Sequence, residues 1–288
     1  MARPSRTDSS APTAEAGVEA RSLDEKELSR RAFVKAAALF GAGGVLAAGG
    51  LVGLSSLARV SAASDLDTAT AGDLALRQWA FVIDLRRCDG CGECTKGCQT
   101  MHHLPEGQEW IKVYTVTGAG GQTTSLPVLC QMCERAPCVQ VCPVAATFKE
   151  PDGVVLIDQE VCIGCRMCMA ACPYGVRTFN WQKPAALPSG VADSASPLFT
   201  APQRQGTVGK CDSCAHRLRE GDFPACVTSC SMEAIYVGDL VADVATNGRD
   251  TVVLSEFLRT NDAFRLKEEL GTQPRVYYIA GHGQALDY

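Results

Sequence analysis

The sequence predicts an α+β fold with irregular loops, and three observations lead there. Sixteen cysteines among 288 residues fall into four groups of four. Short runs of β-branched and aromatic residues stand between the groups. The groups also begin and end alike in pairs, so that the chain reads as two related modules. Otherwise the composition is ordinary, with 46% hydrophobic and 20% charged residues and a formal net charge of −5. That leaves room for one or two domains around a real core and excludes collagen-like, coiled-coil and disordered classes. The acidic balance gives no reason to expect a nucleic-acid partner, because phosphate binding needs a concentrated basic stripe.

Residues 1–62 differ from the rest and contain no cysteine. A polar region rich in Ser, Ala and Glu ends in Ser29-Arg30-Arg31-Ala32-Phe33-Val34-Lys35, which resembles the twin-arginine export motif. The 23 residues from Ala36 to Ala58 then carry no charge. Six of them are glycine, which weakens any helix there; the alternative is a transmembrane anchor, since the length just spans a bilayer. Val60-Ser61-Ala62-Ala63 offers a small-residue cleavage site after Ala62. Twin-arginine export moves proteins already folded around a cofactor, so these cysteines meet metal before they meet an oxidising compartment. Localisation is therefore expected to be periplasmic, at the extracytoplasmic face of the membrane.

The first quartet is Cys88, Cys91, Cys94 and Cys98, and the third is Cys162, Cys165, Cys168 and Cys172 followed by Pro173. The second is Cys130, Cys133, Cys138 and Cys142 followed by Pro143, and the fourth is Cys211, Cys214, Cys226 and Cys230. In C-x2-C-x2-C a looping backbone aims three thiolates at one iron–sulfur cube, while the x3 step is one helical turn that carries the last cysteine toward another cube. Bacterial two-cluster ferredoxins work this way, and four runs make two pairs of centres. An exported chain with an even cysteine count also allows a disulfide framework, and paired CxxC units allow zinc. Neither explains C-x2-C-x2-C-x3-C-P, and no cysteine is left over.

Pairing along the sequence would join the first quartet with the second. Internal similarity fits a nested pairing better. Ile83-Asp84 and Ile157-Asp158 stand ahead of like C-x-G-C-x2-C runs, whereas Cys142 to Phe148 and Cys230 to Tyr236 look like duplicated ends.

With the quartets in view, the chain from about residue 78 to 282 resembles the four-cluster iron–sulfur (beta) subunits of the molybdopterin oxidoreductases, such as the dimethyl sulfoxide, polysulfide and tetrathionate reductases. The resemblance is most specific over Cys133 to Cys142, Val154 to Trp181, Lys210 to Asp239, and the ending Gly271-Thr272-Gln273-Pro274-Arg275-Val276-Tyr277-Tyr278. It implies four 4Fe-4S clusters. One would take Cys88, Cys91, Cys94 and Cys230, and its partner Cys98, Cys211, Cys214 and Cys226. The inner pair would take Cys130, Cys133, Cys138 with Cys172, and Cys162, Cys165, Cys168 with Cys142. In the nitrate-reductase branch a tryptophan stands at the place of Cys165, so that branch is disfavoured. The implied architecture is two ferredoxin-like dicluster modules, one inserted in the other. The implied partners are a molybdopterin-containing catalytic subunit and an integral membrane quinone-reactive subunit.

In order, the elements are a twin-arginine signal segment at 1–62, an outer ferredoxin-like module at 78–128 plus 207–240, an inner module at 129–182, an irregular insertion at 183–206 and a C-terminal segment at 241–288. Strands are expected at Trp79 to Ile83, Ile111 to Val116, Val154 to Ile157 and Thr178 to Trp181, with short helices after the x3 cysteines. Isoleucine, valine and proline around the inner quartets suggest burial there. Lys96, Arg135, Arg166 and Arg177 are the cations near the cysteines; each either raises a cluster's potential or sits on the surface, and the surface is the reading favoured for any one of them. His102, His103 and His216 are read as structural. No nucleophile elbow, P-loop or Rossmann fingerprint accompanies them, so the chain reads as an electron conduit with no substrate site of its own. A competing assignment is the iron–sulfur subunit of an exported hydrogenase; such subunits often end in a membrane helix, for which residues 251–288 are too charged.

Overall fold

The computed structural model describes residues 77–118 and 121–280. The twin-arginine motif, the charge-free stretch and the cleavage site lie outside the described residues.

The framework is a five-stranded sheet built on β1 (Trp79–Asp84), whose six residues are all buried. A strand covered on both faces needs a continuous apolar run, and Trp-Ala-Phe-Val-Ile supplies it. β10 (Ile235–Asp239) pairs antiparallel with β1, Ile83 opposite Ile235. β13 (Val276–Ile279) pairs parallel on the other side, Phe81 opposite Val276. β11 (Val244–Thr246) and β12 (Thr251–Val253) extend the β10 edge. Side chains alternate across the sheet. Trp79, Phe81, Ile83, Ile235, Val237, Val276 and Tyr278 face the large core that holds the cysteines. Val82, Tyr236, Ala245 and Ile279 face a smaller cluster with Leu254, the first residue of helix Leu254–Thr260.

The remaining strands form two-stranded ribbons. β2 (Lys112–Thr117) pairs with β3 (Thr123–Val128), and β4 (Thr147–Lys149) with β5 (Val155–Ile157). β6 (Thr178–Phe179) pairs with β9 (Val208–Gly209). The strand that enters the first quartet thus pairs with the strand that leaves the fourth, and the strand leaving the second with the strand entering the third. Strand content and short helices together make the fold α+β.

The helices lie across the x3 steps and do not follow them, which corrects the sequence expectation. α1 (Glu93–His102) contains Cys94 and Cys98, while α2 (Pro137–Gln140), α3 (Met167–Ala170) and α5 (Ala225–Thr228) each contain the third cysteine and stop before the fourth. Proline explains two of the starts. Pro137 opens α2 and Pro224 precedes α5, where a missing N–H costs nothing and φ is already helical. α1 packs against α5, and α2 against α3. The α1–α5 approach is close because Gly97 faces Ser229; a Cβ at 97 would sit 2.7 Å from that of Ser229.

The insertion at 183–206 is not wholly irregular. It carries the ribbon of β7 (Ser194–Ser196) and β8 (Phe199–Ala201), and Phe199 packs on His216 and His102 at ring-centroid distances of 4.6 and 5.9 Å. α4 (Ala215–Glu220) carries His216 just beyond Cys214. Among the described residues, no helix is long and apolar enough to cross a membrane.

Candidate metal centres

Each quartet begins in a loop that turns through the left-handed region of the backbone. The residues doing so are Gly90 and Gly92 in the first, Met132 in the second, Gly164 and Arg166 in the third, and Ser213 and Cys214 in the fourth. Such turns fold a short loop around a central point, and glycine makes them at least strain. Gly164 has a second constraint: a Cβ there would run into the carbonyl oxygen of Gly206. The exits repeat as well, with a left-handed residue three positions past Cys142, Cys172 and Cys230, at Ala145, Gly175 and Glu233.

All sixteen cysteines are free thiols, which argues against a disulfide framework. They gather into four neighbourhoods. At site 1 the thiols of Cys88 and Cys94 are pushed up, chiefly by burial and then by Cys230, with Cys91 adding to the effect on Cys88; Cys94 reaches about 11. At site 2 burial holds Cys98 well above the ordinary thiol range, reinforced by Cys211, Cys214 and Cys226. Cys130, Cys133, Cys138 and Cys172 line one cavity, site 3, together with Val155, Tyr174 and Arg177. Cys142, Cys162, Cys165 and Cys168 line another, site 4, together with Ile163 and Arg166.

The sites follow one another. Cys94 of site 1 acts on Cys226 of site 2, and Cys130 of site 3 acts on Cys211 of site 2. Arg177 reaches both Cys138 of site 3 and Cys168 of site 4. Burial follows the expectation for the inner quartets at site 3, whose Cys130, Cys133 and Cys138 are buried, but not at site 4. Site 2 is the most enclosed, with Cys98, Cys211, Cys214 and Cys226 all buried. Site 4 is open: Cys165 is exposed, and Ile163 and Trp181 are each 63% exposed. The apolar residues of the third quartet therefore line a surface, where Arg166 stacks 4.8 Å over Trp181 and 5.2 Å over Phe179. At the other end Cys91 of site 1 is also exposed.

One cation is placed differently from the sequence reading, and two residues gain contacts it did not foresee. Lys96, Arg135 and Arg166 are exposed as expected, but Arg177 is only 5% exposed. Lys210, for which sequence reasoning found no role, is 1% exposed and donates from Nζ to the carbonyls of Cys211, at 2.8 Å, and Val155. His102 is 1% exposed, and its Nε2 lies 3.2 Å from Cys214 Sγ and 3.5 Å from Asp212 Oδ1. It therefore touches a cysteine of site 2, and burial lowers its pKa. A lone histidine four residues beyond Cys98 carries no signal of a contact with a cysteine 112 positions away. His216 stacks edge-on against His102, and His103 caps the end of α1.

The donor set fits iron–sulfur centres. Burial, with neighbouring thiols behind it, pushes Cys133 and Cys211 up to about 12, so crowded thiolates are unstable here without a cationic centre between them. Metal binding supplies that charge and releases the thiol protons. Backbone N–H groups already point at sulfur: Thr147 N to Cys142 at 3.4 Å, Ala225 N to Cys214 at 3.4 Å, and Ala234 N to Cys230 at 3.3 Å. Such donors stabilise anionic sulfur and help set a cluster's potential.

Comparison with known proteins agrees. A family model described as a 4Fe-4S dicluster domain matches residues 122–187 and 194–240. The chain is 40% identical over 223 residues to the iron–sulfur subunit of a putative dimethyl sulfoxide reductase of Halobacterium salinarum, covering 72% of this chain and 80% of the relative. It is 38% identical to a subunit of the selenate reductase of Mesobacillus selenatarsenatis, covering 70% and 72%. It is 35% identical to the iron–sulfur subunit of an arsenate respiratory reductase from a Shewanella species, covering 72% and 98%.

Proposed function

The chain belongs to the iron–sulfur (beta) subunit family of the molybdopterin oxidoreductases, and from that premise we propose that it relays single electrons through four 4Fe-4S clusters between a molybdopterin-containing catalytic subunit and an integral membrane quinone-reactive subunit. It is an electron-transfer subunit and not the catalytic one. The observation that supports four centres is the sorting of sixteen free cysteines into four adjoining fours. Site 1 would hold its cluster through Cys88, Cys91, Cys94 and Cys230, and site 2 through Cys98, Cys211, Cys214 and Cys226. Site 3 would use Cys130, Cys133, Cys138 and Cys172, and site 4 Cys142, Cys162, Cys165 and Cys168. When bound, each cluster accepts and releases one electron.

The protein's part is to fix spacing, charge and water access. Pairing of β1 with β10 and of β4 with β5 supports a nested arrangement, the inner module spanning 129–182 between the halves of the outer one. Exposed Cys91 and Cys165 lie at opposite ends of the row, which suits entry of electrons at one end and exit at the other. The reductase names of the relatives favour this reading over an exported hydrogenase.

The test is purification from the native host with analysis of what accompanies the chain. A molybdenum-containing large subunit, with about sixteen iron and sixteen inorganic sulfide per chain, is the expected result. A hydrogenase large subunit, or zinc without sulfide, would overturn it.

Export rests on Arg30-Arg31 and is proposed on the same footing. Replacing both arginines with lysine keeps the charge but loses the guanidinium pair. Cell fractionation should then find the chain retained in the cytoplasm with its iron content unchanged. Normal export of that double variant would exclude the twin-arginine route.

A further inference from the structure

Arg177 stands at the junction of two cysteine groups. It follows Val176 in the short stretch between Cys172 and β6, is 5% exposed, and lines the cavity of site 3. Its Nη1 donates to Thr147 Oγ1 at 3.2 Å. Thr147 is itself buried, and its backbone N–H points at Cys142 Sγ of site 4. The guanidinium also interacts with Cys138 of site 3 and Cys168 of site 4. Nη2 is buried with no oxygen or nitrogen partner, and no carboxylate forms an ion pair with this guanidinium among the described residues. A buried arginine normally has an acid beside it, because an uncompensated charge in the interior is costly. Among the described residues, the groups that act on its charge are cysteine sulfurs of two different groups, which are anionic when they ligate a centre.

We propose that Arg177 is a fixed cation shared by sites 3 and 4, which raises the reduction potentials of the centres held by both. Reduction adds one negative charge to a centre, and a buried cation a few ångströms away stabilises the reduced form more than the oxidised form. Arginine suits the task because it stays protonated throughout the accessible pH range, and its planar fork can address sulfurs on two sides while Thr147 holds it in place. Sites 1 and 2 have no comparable contact with it, so its effect is confined to half of the row. Lys210 is held by the carbonyls of Val155 and Cys211 and makes no hydrogen bond to Arg177.

The inference rests on the assignment of sites 3 and 4 as cluster sites, and the wild-type holoprotein tests that assignment first through its iron, sulfide and number of redox transitions. The inference itself is tested with Arg177→Gln and Arg177→Lys holoproteins in anaerobic redox titrations followed by EPR. In Arg177→Gln two of the four transitions should fall, each with at least about a tenfold shift of the reduced-to-oxidised ratio at fixed potential, or about 59 mV for a one-electron couple. The other two should hold their wild-type values, and Arg177→Lys should recover most of the shift. Unmoved potentials in a fully loaded Arg177→Gln protein would overturn the proposal, as would an equal fall of all four. Loss of iron from Arg177→Gln that Arg177→Lys restores with near-native potentials supports the requirement for charge. Loss of iron from both variants would mark a steric anchor and overturn it.

Discussion

Removing iron from the holoprotein is expected to unfold the region from Trp79 to Ile279 as a whole. The large core contains cysteine sulfurs among its apolar side chains, with Cys94, Cys98, Cys130, Cys133, Cys138, Cys168, Cys211 and Cys226 packed beside Phe81, Ile83, Leu129 and Val237. α2, α3 and α5 are only four residues each, far too short to be stable alone. On the proposed ligation, such helices would be kept in place by the cysteines they carry. Structural metal sites contribute about 10–16 kcal/mol to folding in small domains, comparable with the roughly 5–15 kcal/mol net stability of a whole domain. Loss of several centres therefore exceeds what the sheet alone can offset. Anaerobic chelation followed by far-UV circular dichroism and limited proteolysis checks this, with collapse of the strand signal and cleavage inside 129–240 expected together. An apoprotein that keeps a cooperative thermal transition would show that the five-stranded sheet is self-sufficient.

The sequence made β1 legible because burial on both faces is written in the unbroken run Trp-Ala-Phe-Val-Ile, and β5 because an apolar run follows a Pro-Asp-Gly turn. Cysteine spacing identified all four loops. It left adjacent and nested pairing open, since spacing says which cysteine leaves a loop but not where it arrives. The resemblance supplied one answer, and β1 pairs with β10 and β4 with β5, as a nested pairing would have it.

Other features were hidden for physical reasons. The β7–β8 ribbon comes from Ser-Ala-Ser and Phe-Thr-Ala, which have no apolar alternation; its place is set by Phe199 finding His216 and His102. The helices expected after the x3 cysteines lie one turn earlier, across the x3 step itself, and Pro137 and Pro224 mark two of their starts. Arg177 and Lys210 resemble surface residues in any composition-based reading, since buried cations are rare. Arg177 lies between two cysteine groups that would carry the opposite charge when they hold a centre, and Lys210 donates to two buried backbone carbonyls. The apolar third quartet misled in the other direction, because Ile163 and Trp181 face outward beside Cys165.

Single cysteine replacements should divide sharply by burial, with Cys226→Ala far more damaging than Cys165→Ser. Cys226 lies in α5 against α1, inside the most enclosed group, and its thiol is held well above the ordinary range by burial and by Cys214 and Cys211. Taking it away leaves Cys98, Cys211 and Cys214 crowded in a site that water cannot enter, and removes buried volume where α1 and α5 meet through Gly97 and Ser229. Repacking costs about 2–5 kcal/mol for a large buried side chain and less for a small one. The larger loss would be the proposed centre, whose ligands Cys98, Cys211, Cys214 and Cys226 come from three separate segments of chain: α1, the loop before α4, and α5. Cys226→Ala should therefore yield no soluble holoprotein, or one with site 1 lost as well, because Cys94 adjoins Cys226. Cys165 is exposed in a surface loop, and the other three sulfurs of site 4 hang from different elements, held by the β4–β5 pairing and by the packing of α3 on α2, whose Cys138 belongs to site 3. Cys165→Ser should fold, keep sites 1 to 3, and lose iron from site 4 alone. Iron and sulfide per chain, with thermal melts of both variants, measure the contrast directly. Equal yields and equal iron contents would mean that burial does not rank the sites and that the fold depends on them uniformly.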